Sequence, residues 1–227
     1  MRSMIRACTM GLAALMLSAA FSAAHSASAQ SLIISEYRLR GPGLTTQISS
    51  ATDEFIEIFN GTGAAYTVLA ADGSAGFALV ASDGTARFVI PNGTMIPARG
   101  HYLGVNSSGY SLGGPGGLAD GDITYTLDIP DGSGIALFNT ANPVNFTIAN
   151  RLDAVGYNVP NPLYREGTGF DPNAVNEGTA VLQYSFYRDL RTGTPKDTNN
   201  NIDDFMGVET FVFTTSAGKR LGAPGPE

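Results

Sequence analysis

A polar run near the C-terminus, residues 197–204, carries the residue types best suited to binding a cation. Oxygen-bearing side chains recur at every second position of this run, at Asp197, Asn199, Asn201 and Asp203. In the first half of a calcium-binding loop, a turning backbone directs alternate oxygens of this kind at one ion. The match ends there, because Ile202 stands where such a loop requires glycine and Val208 where it requires a bidentate glutamate.

Two interpretations of this run remain open. Asn and Asp also form tight turns in which their side chains accept hydrogen bonds from the adjacent backbone. The run therefore predicts either a structural turn or a calcium site with the affinity of extracellular modules, a dissociation constant of about 0.1–1 mM. Calcium is the one cofactor for which the sequence offers a candidate site.

Acidic pairs are the next candidates, because two convergent carboxylates can perform acid–base hydrolysis. Glu54 and Glu57 are three residues apart, so on a strand they face opposite sides and do not form a carboxylate pair. Other acidic pairs fall in sequences typical of turns, for example Asp120/Asp122 and Asp203/Asp204. We expect these to be solvated turn residues. A secreted carboxylate-dependent hydrolase, of the glycosidase or nuclease type, is kept as an alternative.

Histidine chemistry has little support in the sequence. His101 is the one histidine outside the N-terminal segment, and no Gly-x-Ser-x-Gly string accompanies it. A single histidine without cysteines nearby also leaves zinc without its usual nitrogen and sulfur ligands. We therefore predict that His101 is a polar residue at a sheet edge, that there are no catalytic residues and that the protein is not an enzyme.

The strand that positions these groups is predicted from the apolar segment 54–60. Its apolar residues fall on both faces of an extended chain, which is typical of a strand at the centre of a domain: Phe55, Ile56, Ile58 and Phe59. Glu57 lies within this segment. A buried carboxylate must be neutralised or hydrogen-bonded, so we predict that Glu57 meets an arginine or backbone N–H groups.

Short apolar segments separated by Gly, Asn, Asp and Pro turns recur through the rest of the chain. The predicted strands are residues 32–37, 66–69, 77–80, 85–90, 101–105, 123–127, 135–139, 152–157, 181–188 and 209–215. No segment after residue 29 has helical period and length. The pattern predicts an all-β fold, an antiparallel sandwich or barrel. Two long loops, 106–121 and 158–178, are expected to carry any binding surface.

Residues 1–29 have the pattern of a secretory signal peptide. Arg2 and Arg6 precede the uncharged run 10–21, and Ala27-Ser28-Ala29 forms a small-x-small cleavage site. We expect residues 30–227 to be exported as a single domain and to reside outside the cell or in the periplasm. The apolar run is too short to span a bilayer and no second one follows, so no integral membrane segment is expected after cleavage.

The charge balance narrows the class of partner. Loss of the signal peptide would change the formal charge from −7 to −9, because it removes two arginines and no acid. Nucleic-acid binding draws its affinity from Lys and Arg contacts to phosphates, so nucleic acid is not expected as a partner. A protein or glycan at the cell exterior is the expected partner.

Two strings resemble the lamin-tail domain family in its bacterial secreted form: Leu-Ile-Ile-Ser-Glu at 32–36 and Glu-Phe-Ile-Glu-Ile-Phe-Asn at 54–60. The strings at 96–103 and 152–156 also resemble those of the family. The resemblance is strong over residues 31–157, the expected core, and looser over 158–227. The Leu-Ser-Gly-Trp string of the family has no counterpart between residues 66 and 77, since the chain has no tryptophan.

This resemblance implies an immunoglobulin-like antiparallel β-sandwich without catalytic residues. Members of the family are usually described as interaction or attachment modules, although a shared fold does not transmit a function. We therefore expect an exported, non-enzymatic module for recognition or attachment at the cell exterior, with an unknown ligand. The alternatives are the carboxylate-dependent hydrolase and a calcium-stabilised structural module.

Overall fold

A computed structural model describes residues 31–41, 50–113, 120–157, 160–169, 184–209, 219–221 and 226. The predicted signal peptide lies outside these ranges. The strands in chain order are β1 (Leu32–Arg38), β2 (Phe55–Asn60), β3 (Tyr66–Thr67), β4 (Gly76–Ala81), β5 (Ala86–Pro91), β6 (Met95–Ile96), β7 (His101–Asn106), β8 (Ile123–Tyr125), β9 (Gly134–Phe138), β10 (Arg151–Gly156), β11 (Tyr184–Arg188), β12 (Phe205–Glu209) and β13 (Lys219–Leu221). The helical segments are α1 (Asn201–Asp204) and three 3-10 helices, Pro143–Asn145, Ile148–Asn150 and Pro162–Tyr164. The predicted all-β class is confirmed.

The strands form a seven-stranded sheet in the order β13-β12-β11-β1-β2-β7-β8, a four-stranded sheet in the order β10-β9-β4-β5, and the β3-β6 pair. Most neighbours are antiparallel, as predicted. The pairs β7/β8 and β12/β13 are parallel, so the large sheet is mixed. A parallel partner requires a long connection rather than a hairpin, and the polar segment between β7 and β8 provides one. Strands of the C-terminal part complete the sheet of the predicted core, because β11 pairs with β1.

The two larger sheets pack on each other in a sandwich-like arrangement. Ile56 and Ile58 of β2 share one buried core with Leu79 of β4 and Leu137 of β9. On the opposite side of β2, Phe55 packs in a separate buried cluster. All six residues of β2 are buried and the strand lies between β1 and β7, which confirms its predicted central position.

A β-bulge in β1 decides which of its side chains face the core. The register with β2 shifts between Ile34 and Glu36, so that Ser35 is an extra residue and Glu36 pairs with Glu57. Strict alternation after Ile34 would turn Glu36 into the core. The extra residue resets the alternation, so Tyr37 enters the core instead. Ser35 and Glu36 then share the outer face of the sheet with Glu57.

Several local predictions require correction. The strand predicted at 66–69 is only the two-residue β3, whose partner β6 was not predicted. The polar run 197–204 contains helix α1, where no helix was expected. Most of the strand predicted at 209–215 lies outside the described residues.

No helix in the described part of the chain has the length and apolar character to cross a membrane.

Candidate functional site

Two buried carboxylates face each other on the outer face of the seven-stranded sheet. Glu57 is 2% exposed and Glu36 is 4% exposed, and the two are direct partners across β2 and β1. The Cβ atoms of directly opposed residues in an antiparallel pair are about 4.5–5.5 Å apart. The predicted burial of Glu57 is therefore confirmed, and its carboxylate neighbour is Glu36 rather than Glu54.

Serine hydroxyls donate hydrogen bonds to both carboxylates. Ser35 Oγ donates to Glu57 Oε1 at 2.5 Å, and Ser185 Oγ donates to Glu36 Oε1. His101 Nε2 lies 3.9 Å from the same Glu57 oxygen. The prediction for Glu57 named an arginine or backbone N–H groups, whereas the donor at 2.5 Å is a hydroxyl. Such donors offset part of the cost of burying a carboxylate.

A cavity of about 490 Å³ borders this carboxylate pair. Its lining includes the rings of Phe59 and Tyr187, together with Leu190, Thr194 and Pro195 from the loop after β11. We call this space the outer-sheet cavity. Small-ligand sites are concave, measure about 300–1,000 Å³ and combine apolar walls with a few convergent polar groups. The outer-sheet cavity has these properties.

His101 lies at the start of β7 and lines the outer-sheet cavity. Its ring is 5.0 Å from that of Phe59, measured between centroids. β7 lies between β2 and β8, but its pairing with β8 begins only at Gly104. His101 therefore lies at an edge of the sheet, as predicted, although β7 as a whole is not an edge strand.

A second group of charges is centred on Arg188, which is fully buried and also contributes to the lining of the cavity. Its NH2 atom donates to Asp153 Oδ1 and Oδ2 at 2.7 and 2.8 Å. Three further carboxylates lie within 4 Å of the guanidinium: Glu166, Asp197 and Asp204. We call these five residues the Arg188 cluster. Its carboxylates come from three separate parts of the chain: β10, the segment that contains Glu166, and the run 197–204.

Two carboxyls of the Arg188 cluster have raised pKa values. Burial, and then the negative charge of Asp153, raise the pKa of Glu166 to about 9, which favours its protonated form. Arg151 contributes a second cation, with its NH2 atom 3.3 Å from Glu166 Oε1. Burial also raises the pKa of Asp197, and Arg188 opposes this shift.

The Arg188 cluster joins the two sheets at the β1 bulge. Asp153 belongs to β10 of the four-stranded sheet, and its Oδ2 accepts a hydrogen bond from Ile34 N at 2.6 Å. Arg188 belongs to β11 of the other sheet, and its Nε donates to Ile34 O at 2.9 Å. The backbone groups of Ile34 are thus satisfied by side chains where regular pairing is interrupted. The geometry gives this cluster a structural role.

The run predicted as a turn or a calcium site folds around Asp204. This fully buried carboxylate accepts hydrogen bonds from Thr198 N at 2.8 Å, Thr198 Oγ1 at 2.7 Å and Asn200 N at 3.3 Å. The expectation that Asp204 is a solvated turn residue is wrong. Backbone N–H groups therefore converge on a carboxylate inside the run, whereas a calcium loop directs oxygens at its centre.

The four predicted calcium ligands have different surroundings. Asp197 faces Arg188, and Asp203 accepts a hydrogen bond from Asn200 Nδ2. Asn199 is exposed and has a positive φ of 58°.

Asn201, the fourth predicted ligand, is buried. Its Oδ1 accepts from Gly156 N and Glu166 N, and its Nδ2 donates to Ala154 O. Among the described residues, no group of three or more His, Cys, Asp or Glu side chains is placed to hold a metal ion. Calcium binding by the run stays a prediction.

Glu54 occupies the opposite side of β2 from Glu57, as predicted for residues three apart. Its Oε2 accepts from Asn106 Nδ2 and its Oε1 from Ile129 N, both at 2.7 Å. Burial raises the pKa of Glu54 to about 8. This group is therefore a second buried carboxyl that holds its proton near neutral pH.

The site residues that sequence reasoning missed are Glu36, Tyr187 and Arg188. A signal for Glu36 is present: two consecutive polar residues, Ser35 and Glu36, interrupt an otherwise apolar strand, which is typical of a bulge. The described parts of loops 106–121 and 158–178 do not line the cavity. Searches against protein-family models, curated proteins and solved structures each found no match to this chain.

Proposed function

We propose that this protein is an exported, non-enzymatic recognition module with an immunoglobulin-like sandwich of the lamin-tail type, and that it binds its ligand in the outer-sheet cavity. The observation that carries the proposal is the pair Glu36 and Glu57, opposed within a cavity of about 490 Å³. Directly opposed, buried acidic side chains cost a sheet stability, whether they repel each other as anions or take up a proton, so their presence beside a cavity favours a role in binding. Acidic residues and aromatic rings also suit the exterior protein or glycan partner expected from the sequence.

A cavity-filling substitution tests this proposal. Thr194 is exposed on the loop that lines the cavity, so Thr194→Trp should fill part of the space without disturbing the core. Thr67→Trp, on exposed β3 outside the lining, is the matched control. We expect the wild-type chain to bind members of a glycan or peptide array, with binding at least about tenfold weaker in Thr194→Trp. Equal binding by all three chains would reject the cavity as the site.

The same carboxylate pair favours a second candidate function, the hydrolase. Retaining glycosidases hold two carboxyl groups about 5–5.5 Å apart, and the Cβ atoms of directly opposed strand residues are about 4.5–5.5 Å apart, so the two carboxyl groups can approach this spacing. A panel of chromogenic glycosides tests this candidate. The hydrolase candidate requires that the wild-type chain turns over at least one glycoside and that the turnover rate falls by about 10²-fold or more in Glu57→Gln. Absence of turnover on the whole panel would reject it.

A further inference from the structure

We propose that the outer-sheet cavity recognises an organic cation, an ammonium group attached to an apolar or aromatic body. This inference rests on the proposed function, since it names the ligand class of the same site. It is carried by three features: the carboxylate pair, the surroundings of the nearby cations, and the aromatic and apolar walls.

The carboxylate pair supplies acceptor oxygens for such a group. Glu36 and Glu57 are opposed on one sheet face, and each already accepts one serine hydroxyl through Oε1. An ammonium group carries three N–H donors and no acceptor, so it can contact both carboxylates at once.

Two arginines also line the cavity, but their surroundings differ from those of the carboxylate pair. Arg188 contributes to the lining, but its guanidinium contacts Asp153, Asp197 and Asp204. Arg99 is exposed, where solvent and salt screen its charge. The charge of Arg188 is thus engaged by carboxylates of its own cluster, which favours a cationic ligand beside Glu36 and Glu57 over an anionic one.

The walls determine what the ammonium group is attached to. Phe59 and Tyr187 present rings to the cavity, and Leu190 and Pro195 add apolar surface. Aromatic faces attract cations, and this interaction contributes about 0.5–2 kcal/mol. A metal ion fits less well, because the described residues gather no set of three His, Cys, Asp or Glu ligands.

Three probes of similar size test the ligand class on the wild-type chain from Gln30 onward. Benzylammonium, benzyl alcohol and benzoate share a ring and differ in charge, and each is titrated at pH 7 while backbone amide signals are recorded by NMR. We expect benzylammonium to shift the amides of Glu57, His101 and Tyr187 and to bind at least about tenfold more tightly than benzyl alcohol. Benzoate should bind more weakly still.

The outcomes separate this inference from the proposed function. Equal or tighter binding of benzyl alcohol or benzoate at the same amides would overturn the cation while supporting the cavity as a ligand site. No binding by any probe up to about 10 mM, where a dissociation constant of 1 mM would give near saturation, would overturn the organic cation, whereas the Thr194→Trp experiment decides whether the cavity is a binding site.

A charge-neutral variant adds a second test. Glu57→Gln keeps an acceptor oxygen for Ser35 and removes the charge, so affinity for benzylammonium should fall about tenfold or more. Asp83→Asn removes the same charge from the β4–β5 hairpin and should leave the affinity unchanged. If the folded Glu57→Gln variant binds benzylammonium as tightly as the wild-type chain, the proposal of a cationic ligand is overturned. If this variant does not fold, the probe series on the wild-type chain still decides.

Discussion

The Arg188 cluster and the outer-sheet cavity are adjacent, and both contain buried carboxylates, yet the two regions use them differently. In the cluster, Asp153 and Asp204 face a guanidinium and accept hydrogen bonds from backbone N–H groups. In the cavity, Glu36 and Glu57 face each other and accept hydrogen bonds from serine hydroxyls. In the cluster, the carboxylates pair with a cation of the protein itself. In the cavity, the carboxylate pair borders space that a ligand can occupy.

The contrast indicates how the molecule separates stability from recognition. A buried charge that is paired and fully hydrogen-bonded fixes the packing of the elements that supply it, and its removal leaves other charges uncompensated. Directly opposed acidic residues, in contrast, reduce stability, and we propose that Glu36 and Glu57 are retained because they serve binding. We therefore expect substitutions in the cluster to affect folding, and substitutions of the carboxylate pair to affect ligand binding.

Removal of the central cation should have the largest effect. Arg188→Met leaves Asp153 and Asp204 buried without their guanidinium partner, so the free energy of unfolding should fall by about 3–5 kcal/mol. Arg191→Met is the control, because its side chain is 74% exposed and its ion pair with Asp189 should contribute at most about 1 kcal/mol. Urea unfolding at pH 7 measures both. Similar losses in the two variants would contradict a structural role for the cluster.

The polar run should show the next largest effect. Asn201→Ala removes the partner of two backbone N–H groups and one carbonyl in a buried site, which should cost about 3 kcal/mol. Asn199→Gly, at an exposed position of positive φ, should be nearly neutral.

Thermal melts of both asparagine variants in millimolar calcium and in EDTA distinguish the two interpretations of the run. A structural turn predicts the same loss for Asn201→Ala in both conditions. If calcium raises the melting temperature of the wild-type chain and this gain is lost in Asn201→Ala and in Asp197→Ala, the run is a calcium site.

The pH dependence of stability should be dominated by buried carboxyls that hold their protons. Glu54 has a pKa raised to about 8 in the folded state, against 4.5 as its ordinary value. Between these two values the folded state binds the proton and the unfolded state does not. Stability should therefore fall as pH rises through this window, by about 1.4 kcal/mol per pH unit for this group.

Unfolding measured from pH 5 to pH 8 checks this slope. Glu54→Gln should reduce the slope by about 1.4 kcal/mol per pH unit, while the raised pKa of Glu166 maintains part of it. Asp120→Asn, at an exposed position, should leave the slope unchanged. A Glu54→Gln variant with the wild-type slope would show that this carboxyl is ionised in the folded protein.

The smallest effect on stability is expected in the cavity. Glu57→Gln keeps an acceptor for the Ser35 hydroxyl and removes one of two opposed charges, so the free energy of unfolding should change by less than about 1 kcal/mol. The same urea experiment measures it beside Arg188→Met. A loss as large as that of Arg188→Met would place Glu57 in the structural framework and remove the contrast between the two regions.

Local patterns predicted the strands well because most are short apolar segments bounded by turns. The central position of β2 followed from apolar residues on both of its faces, and the opposed orientations of Glu54 and Glu57 followed from alternation. The two-residue β6 is too short for any pattern. The parallel pairs β7/β8 and β12/β13 depend on how long connections return to the sheet, which local patterns do not specify.

The site was harder to predict because its residues are brought together by long-range pairing. Ile34 and Asp153 are separated by 119 positions, and Asp153 and Arg188 by 35. The pairing of Glu36 with Glu57 depends on one extra residue in β1, and without that bulge Glu36 would face the core. The composition of the polar run predicted a candidate cation site, whereas its buried side chains, Asn201 and Asp204, accept hydrogen bonds from backbone N–H groups.

A double-mutant cycle on Glu36→Gln and Glu57→Gln tests most directly whether the carboxylate pair is kept for a cationic ligand. The free energy of unfolding is measured for the wild-type chain, the two single variants and the double variant, with and without saturating benzylammonium. We expect an unfavourable coupling of about 0.5–1 kcal/mol between the carboxylates in the free protein, which disappears when the cation is bound. A coupling that is favourable, or that benzylammonium does not change, would show that the fold itself satisfies the pair and would contradict the account.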